Sequence, residues 1–350
     1  ISVGGARVPE YLEFILIRFP LGVPFFFAVS GFSLAYGYTN RLFSENDIKT
    51  YFVRRFARIA PLFYFILAVQ LLIFWFEHHI TFSLIDILIN VAFVFNFVPH
   101  MSDGIALASW SIGVEMAFYV LLPVMLLVNR SILTSLALLV LSIIVANQFY
   151  VSMKSDETKY LSFIWHNLIT NLPYFMWGML GYHTYIGLGS SLRQKHIIPL
   201  SWSMMIVAFL SPIILHKEGP LFNYLFDKNM RWVWSCLLGA PLFLACVAIA
   251  LHPAKVFSNA VTHYLGKVSF SLYLIHPIVL IKLKQFGFYH GLYEFFGDSL
   301  IIAYLMSFAV SITLITAISS LTFRFIETPG MNWGKRRSPI KSSPPPVVAT

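Results

Sequence analysis

Apolar runs of roughly 17–25 residues, each long enough to cross the hydrocarbon of a bilayer, recur along nearly the whole chain. They are continuous rather than alternating, so the crossing elements read as helices and not as the strands of a barrel. Composition agrees. The 350 residues are 58% hydrophobic and 11% charged, against about 45–50% and about 25% in soluble domains, and mean hydropathy is +0.75. The fold class expected is therefore all-α, a polytopic transmembrane helical bundle of nine to ten segments. Nine spans stand out, at 20–38, 59–76, 110–128, 132–151, 163–186, 197–215, 232–251, 264–281 and 299–321. A tenth apolar stretch, 85–99, is shorter and carries Asn90 and Asn96, so it reads either as a span or as a re-entrant segment.

Loop charge chooses between the two. If 85–99 does not cross and the loop 40–58 is cytosolic, 15 of the 24 Lys and Arg fall on the cytosolic side; if it crosses, the split is even. The positive-inside bias favours nine spans, with the start outside and the tail inside. A net charge of +9 does not point to nucleic acid, because the basic residues sit in short loops at membrane ends and in one tail rather than in a basic domain. Cys236 and Cys246 lie on one expected helix, about 15 Å apart along its axis, beyond disulfide reach, and no metal site is indicated. The chain opens on Ile1 and residues 1–19 show no signal-peptide pattern, so the native start is expected upstream. Residues 1–333 read as one membrane domain, and 334–350, Pro- and Ser-rich with clustered charge, as a disordered cytosolic tail.

Charged groups inside spans cost on the order of 2.5–3.5 kcal/mol, so each one asks for a reason. In WSIGVEMAFY, Ser111, Glu115 and Tyr119 follow at i, i+4, i+8 and share a helix face just past Trp110; they can position a hydroxyl or hold a cation, or Glu115 can simply sit at the interface. In SFSLYLIHP, Ser269, Tyr273 and His276 share another face, and Pro277 frees a carbonyl one turn back for a side chain or ligand. His276 is suited to proton transfer near neutral pH, or to ordinary packing. Arg54, Arg55 and Arg58 match phosphate oxygens and can seat a phosphorylated cytosolic cofactor, or anchor the chain to lipid phosphates, just before a span that opens around Pro61. Ser30 and Gly31 interrupt a Phe-rich span, allowing close helix approach or passage of an acyl chain.

Taken in order, FFFAVSGF at 25–32, RRFARIAP at 54–61, WSIGVEMAFY at 110–119, SFSLYLIHP at 269–277 and RFIETP at 324–329 resemble the membrane acyltransferase family 3. The resemblance implies ten helices and transfer of an acyl group, acetyl in the first instance, from cytosolic acyl-CoA to a hydroxyl of an extracytoplasmic acceptor such as a surface glycan. It implies a multi-pass protein of the plasma or inner membrane, in contact with membrane lipid, with acyl-CoA as co-substrate and no tightly bound cofactor. It gives the arginines 54, 55 and 58, with Ser30 and Gly31, to the donor, and Trp110, Ser111, Glu115, Tyr273 and His276 to the central site. Glu327 is expected to pair with a basic group near the end of the last helix. Family members open on a helix with an Arg and, about ten residues on, a His that acts as base; residues 1–24 contain no His. That helix is expected upstream of Ile1, and these 350 residues without it are expected to have little or no acyltransferase activity. A transporter or flippase is the rival reading, since intramembrane Glu and His also line substrate paths; a noncatalytic scaffold is a third.

The nine-span reading predicts that residues 40–58 and the tail after Arg324 face the same, cytosolic compartment. Cysteines placed singly at 46 and 340 should both resist an impermeant thiol reagent in intact cells and react after permeabilisation; opposite behaviour at the two sites removes this topology.

Overall fold

The structure, a computed structural model, describes residues 2–3, 6–7, 22–39, 41, 44–153, 157–215, 220–227, 230–297 and 299–337. Apart from a short antiparallel pairing of Ser2–Val3 with Ala6–Arg7, the regular elements are helices. In chain order they are α1 (Gly22–Tyr38), α2 (Glu45–His78), α3 (Leu84–Val91), α4 (Trp110–Val128), α5 (Ile132–Met153), α6 (Glu157–Trp165), α7 (Leu168–Ser191), α8 (Gln194–Ile214), α9 (Pro220–Asp227), α10 (Arg231–Leu251), α11 (Ala260–Gln285), α12 (Phe288–Phe296), α13 (Leu300–Thr322) and α14 (Thr328–Arg337). A π-helical turn, Phe323–Glu327, joins the last two. Among the described residues five helices are long and apolar enough to cross a membrane: α2, α4, α5, α11 and the composite Leu300–Arg337. The other expected spans are also helical, as α1, α7, α8 and α10, but do not meet that measure. Residues 338–350, most of the expected tail, lie outside the described residues.

The loop expected over 40–58 is mostly helix. Ser44 caps α2 in a box with Asp47, each side chain bonded to the other's backbone N–H at 3.2 Å. Its 34 residues rise about 51 Å, against a hydrocarbon layer of about 30 Å, so the basic first turns stay helical while projecting beyond the lipid tails. Charge clustering marked this stretch as non-membrane, which does not make it non-helical, since Arg and Lys are good helix formers. Nor does a span open at Pro61, because the helix runs straight through it.

Small residues set the closest packing. An ideal Cβ at Gly31 of α1 would overlap the Phe175 carbonyl of α7, and one at Gly178 of α7 would overlap the Ala28 carbonyl of α1. The two backbones meet where side chains are absent, as membrane helices do in general. Phe175 then stacks on Phe27 at 4.7 Å and on Phe118 of α4 at 3.9 Å, so α7 knits α1 to α4.

The stretch 85–99 does not run as one helix. The eight residues of α3 rise only about 12 Å, and two 3₁₀ turns, Phe95–Phe97 and Pro99–Met101, follow. Phe93 and Ala108 sit at φ 59° and 60°, the left-handed region. Irregular backbone shut away from water needs protein partners, and two fully buried asparagines supply them. Asn90 accepts from the Ile105 N–H at 2.9 Å and donates to the Asp86 carbonyl at 2.9 Å. The Asn96 amide donates to the carbonyls of Ser102 (3.1 Å), Trp110 (3.0 Å) and His166, tying this segment to the starts of α4 and α7.

Asn96→Leu, which removes an amide with two N–H donors shared among these carbonyls, should therefore lower stability by about 1–3 kcal/mol, read as a fall in the detergent melting temperature. Leu133→Ala, at a residue 74% exposed, should stay within about 0.5 kcal/mol of the parent.

Candidate active site

One face of α4 carries a column of polar groups. Glu115, 5% exposed, accepts from the Ser30 hydroxyl of α1 at 3.2 Å and from the Tyr119 hydroxyl one turn below. One turn above, Ser111 donates to the Tyr273 hydroxyl of α11 at 2.8 Å. At the head of the helix the Trp110 indole meets Phe27 edge-on at 6.1 Å and the His166 imidazole face-to-face at 4.2 Å. From Trp110 to Tyr119 the column rises about 14 Å.

Proline shapes the column. A proline inside a helix leaves the carbonyl four residues earlier without its usual N–H. Pro277 does this to Tyr273, whose carbonyl takes the His276 Nδ1–H at 2.7 Å. That bond fixes the tautomer and leaves Nε2 as an acceptor. Pro123 does it to Tyr119, whose carbonyl takes the Tyr51 hydroxyl of α2 at 3.1 Å. Pro61 does it to Ala57, whose carbonyl faces Gly330 of α14, where a Cβ would lie only 2.7 Å away.

The three arginines do not form one patch. Arg55 turns into a ring of tyrosines, its guanidinium carbon 5.1 Å from the Tyr38 ring, 5.4 Å from Tyr119 and 6.0 Å from Tyr51. Its Nε is buried with no hydrogen-bond partner among the described residues. Arg58 is exposed, and its positive charge acts through space on both Glu115 and Glu327. The Arg54 backbone lies beside Gly334 of α14. Gly31 offers no room for an acyl chain, because the Phe175 backbone fills the space above it, whereas Ser30 joins the carboxylate. Ser269 is exposed and bonds back to the Gly266 carbonyl, so it leaves the face that Tyr273 and His276 share.

Glu327 is held by Ser271 rather than by a basic group near the last helix end. The π turn adds a residue to the helix and swings this carboxylate, 1% exposed, onto the Ser271 hydroxyl, which also accepts from Thr322 at 3.1 Å. Sequence reading missed Ser271, two residues on from Ser269 and off the face drawn through it. It missed Tyr51 and Tyr38 as well, which read as ordinary aromatic residues of a Phe- and Tyr-rich chain. A His–Asp pair also went unseen: His166, between α6 and α7, donates from Nδ1 to Asp103 Oδ1 at 2.5 Å. Among the described residues no group of three or more His, Cys, Asp or Glu is placed to hold a metal ion.

A family model described as an acyltransferase domain matches residues 3–323. A protein of Staphylococcus aureus strain COL named "Putative O-acetyltransferase" is 26% identical over 89% of this chain and 54% of its own length. A "Putative acetyltransferase" of Acidianus two-tailed virus is 26% identical over 74% of this chain and 72% of its own. The chain thus spans about half the length of the staphylococcal relative. No solved structure matches it.

The Ser111–Tyr273 bond joins α4 to α11 across the column, so Ser111→Ala and Tyr273→Phe should not be additive. A double-mutant cycle on unfolding should return a coupling of about 0.5–1.5 kcal/mol; additive single effects would separate the two helices.

Proposed function

This chain belongs to the acyltransferase domain family, and on that premise we propose that it is a multi-pass cell-membrane enzyme moving an acyl group from cytosolic acyl-CoA to a hydroxyl of an extracytoplasmic glycan. Acetyl is the first group to test, in keeping with the names its relatives carry. The observation that carries the reading is the polar column along α4, with Arg55 and Arg58 toward one end and Trp110, His166 and His276 toward the other.

The reading also adopts nine spans, with the first turns of α2 cytosolic. A short α3 followed by 3₁₀ turns supports counting 85–99 as re-entrant. Lys282 of α11 pairs with Glu77 of α2, consistent with both helix ends lying on one, outer side. In this frame the arginines serve the donor. A guanidinium buried with a spare N–H suits the phosphates of coenzyme A, which take forked donors well. The thioester then lies along the column, where Ser111 and Tyr273 can donate to the oxyanion that forms as the carbonyl is attacked. Glu115 keeps Ser30 and Tyr119 in place beneath it.

Acetyl-CoA turnover by the full-length protein in proteoliposomes, together with mass spectrometry of surface glycans from cells with and without the gene, tests the activity. Movement of substrate across the membrane without turnover would replace it with the transporter reading. For the donor site, Arg55→Lys combined with Arg58→Ala should weaken acetyl-CoA binding by at least about tenfold, or about 1.4 kcal/mol, in an equilibrium binding assay, with the melting temperature retained. Unchanged affinity returns these arginines to the role of lipid anchors.

A further inference from the structure

The later turns of α2 and α11 enclose a cavity of about 110 Å³, several times the about 10–15 Å³ that a single water needs. Gln70 closes its buried end at 4% exposure, while His78 and Gln285 at the other end are exposed. From Gln70 to His78 the helix rises about 12 Å, so the space runs inward from the helix ends. Between these ends its walls are apolar, formed in part by Phe74 of α2, Leu107 and Ile278 of α11.

One polar atom of this cavity is unsatisfied. The Gln70 side-chain oxygen, Oε1, is buried with no hydrogen-bond partner among the described residues, an unfavourable state unless a guest supplies a donor. The Lys282 ammonium at the mouth is already paired with Glu77, so it does not call for an anion. The space therefore suits a neutral guest that brings a hydroxyl donor to its buried end and C–H groups to its sides, and a pyranose ring has both. A lipid tail would leave Oε1 unpaired. Coenzyme A belongs, on the reading above, to the arginine end, and Gln70 lies about 22 Å beyond Arg55 along α2.

The cavity also adjoins the polar column. Leu107 stands just before Trp110 in the chain. Ile278 lies about 7.5 Å along α11 beyond Tyr273, whose hydroxyl takes the Ser111 bond. We propose that this cavity is a subsite for the acceptor, holding one neutral sugar ring whose hydroxyl donates to Gln70 Oε1 and whose C–H face rests on Phe74. The inference rests on the acyltransferase reading and on the outer side it gives to the ends of α2 and α11. A ring held there keeps the neighbouring hydroxyls of the glycan within one or two helical turns of the Ser111–Tyr273 pair. Gln70 binds and orients the acceptor and takes no part in proton transfer.

The test uses the full-length protein in proteoliposomes, with acetyl-CoA and purified cell-surface glycan, following acetyl incorporation. Gln70→Leu removes the acceptor of the sugar's bond and also removes an unpaired buried carbonyl, so the melting temperature should hold or rise. The glycan KM should rise about tenfold, the loss of one neutral hydrogen bond, with the acetyl-CoA KM unchanged. A purely structural glutamine would give the opposite pattern, a lower melting temperature and no separation of the two KM values. Ile278→Trp, which fills the cavity from the α11 side, should raise the glycan KM in the same way. An unchanged glycan KM in either folded variant overturns the subsite and leaves the cavity to water. If Gln70→Leu lowers the melting temperature, Ile278→Trp decides alone. A parent protein that turns over no acetyl-CoA is a different outcome, which removes the acyltransferase reading itself and this inference with it.

Discussion

A chain that crosses lipid finds no water in the hydrocarbon for its backbone N–H and C=O groups, and most of what is specific here follows from that. Regular helix meets the requirement by itself. Difficulty arises where helix is interrupted, and two of the three proline interruptions described above, together with the irregular stretch after α3, have side-chain hydrogen-bond partners. The carbonyls released by Pro123 and Pro277 take Tyr51 and His276, and the irregular stretch after α3 is held by Asn90 and Asn96. These residues are the ones around which the candidate site is built. Satisfying the backbone and assembling the site are here one construction.

That link explains how the long-range geometry is fixed. The Asn96 amide touches carbonyls from its own loop, from the first residue of α4 and from His166, between α6 and α7. Trp110 and His166 are thereby brought to a stacking distance that no local rule imposes. Lower down, Tyr51 ties α2 to α4 at the turn where Arg55 enters its ring of tyrosines. The glycines Gly31 and Gly178 let α1 approach α7 closely enough for Ser30 to reach Glu115.

Much of this was legible in the sequence. Long apolar runs gave helix over most of each expected span, although the one expected at 163–186 is broken at residues 166–167 and five helices among the described residues are long and apolar enough to cross; the i, i+4, i+8 spacing of Ser111, Glu115 and Tyr119 put three buried groups on one face. Pro277 announced a free carbonyl one turn back, which His276 takes. Other features were not legible, for identifiable reasons. Helical periodicity relates residues on one helix, whereas Asp103 and His166 stand 63 positions apart, both outside helices. The π turn shifts Glu327 out of the 3.6-residue register, so no helical wheel would aim it at Ser271. Charge patterning separates membrane from water but not helix from loop, which is why the first turns of α2 read as a loop.

The two buried carboxylates show how the halves of the bundle are coupled. Glu115 belongs to the half made by α1, α4 and α7, and Glu327 to the half made by α11, α13 and α14. Each is held by hydroxyl donors of its own half, Ser30 and Tyr119 for one and Ser271 for the other. Arg58, on α2 between them, attracts both and hydrogen-bonds to neither among the described residues. Because Arg58 is exposed, this attraction is screened and modest, and the hydroxyls do most of the holding. A guanidinium not locked into an ion pair with either carboxylate keeps its N–H fork for another anion. An arginine closed into a buried bridge would have to break it before meeting a phosphate, and breaking such a pair is costly. The arginine end of the column can therefore be cationic without being self-neutralised, while the two carboxylates stay anchored by neutral groups.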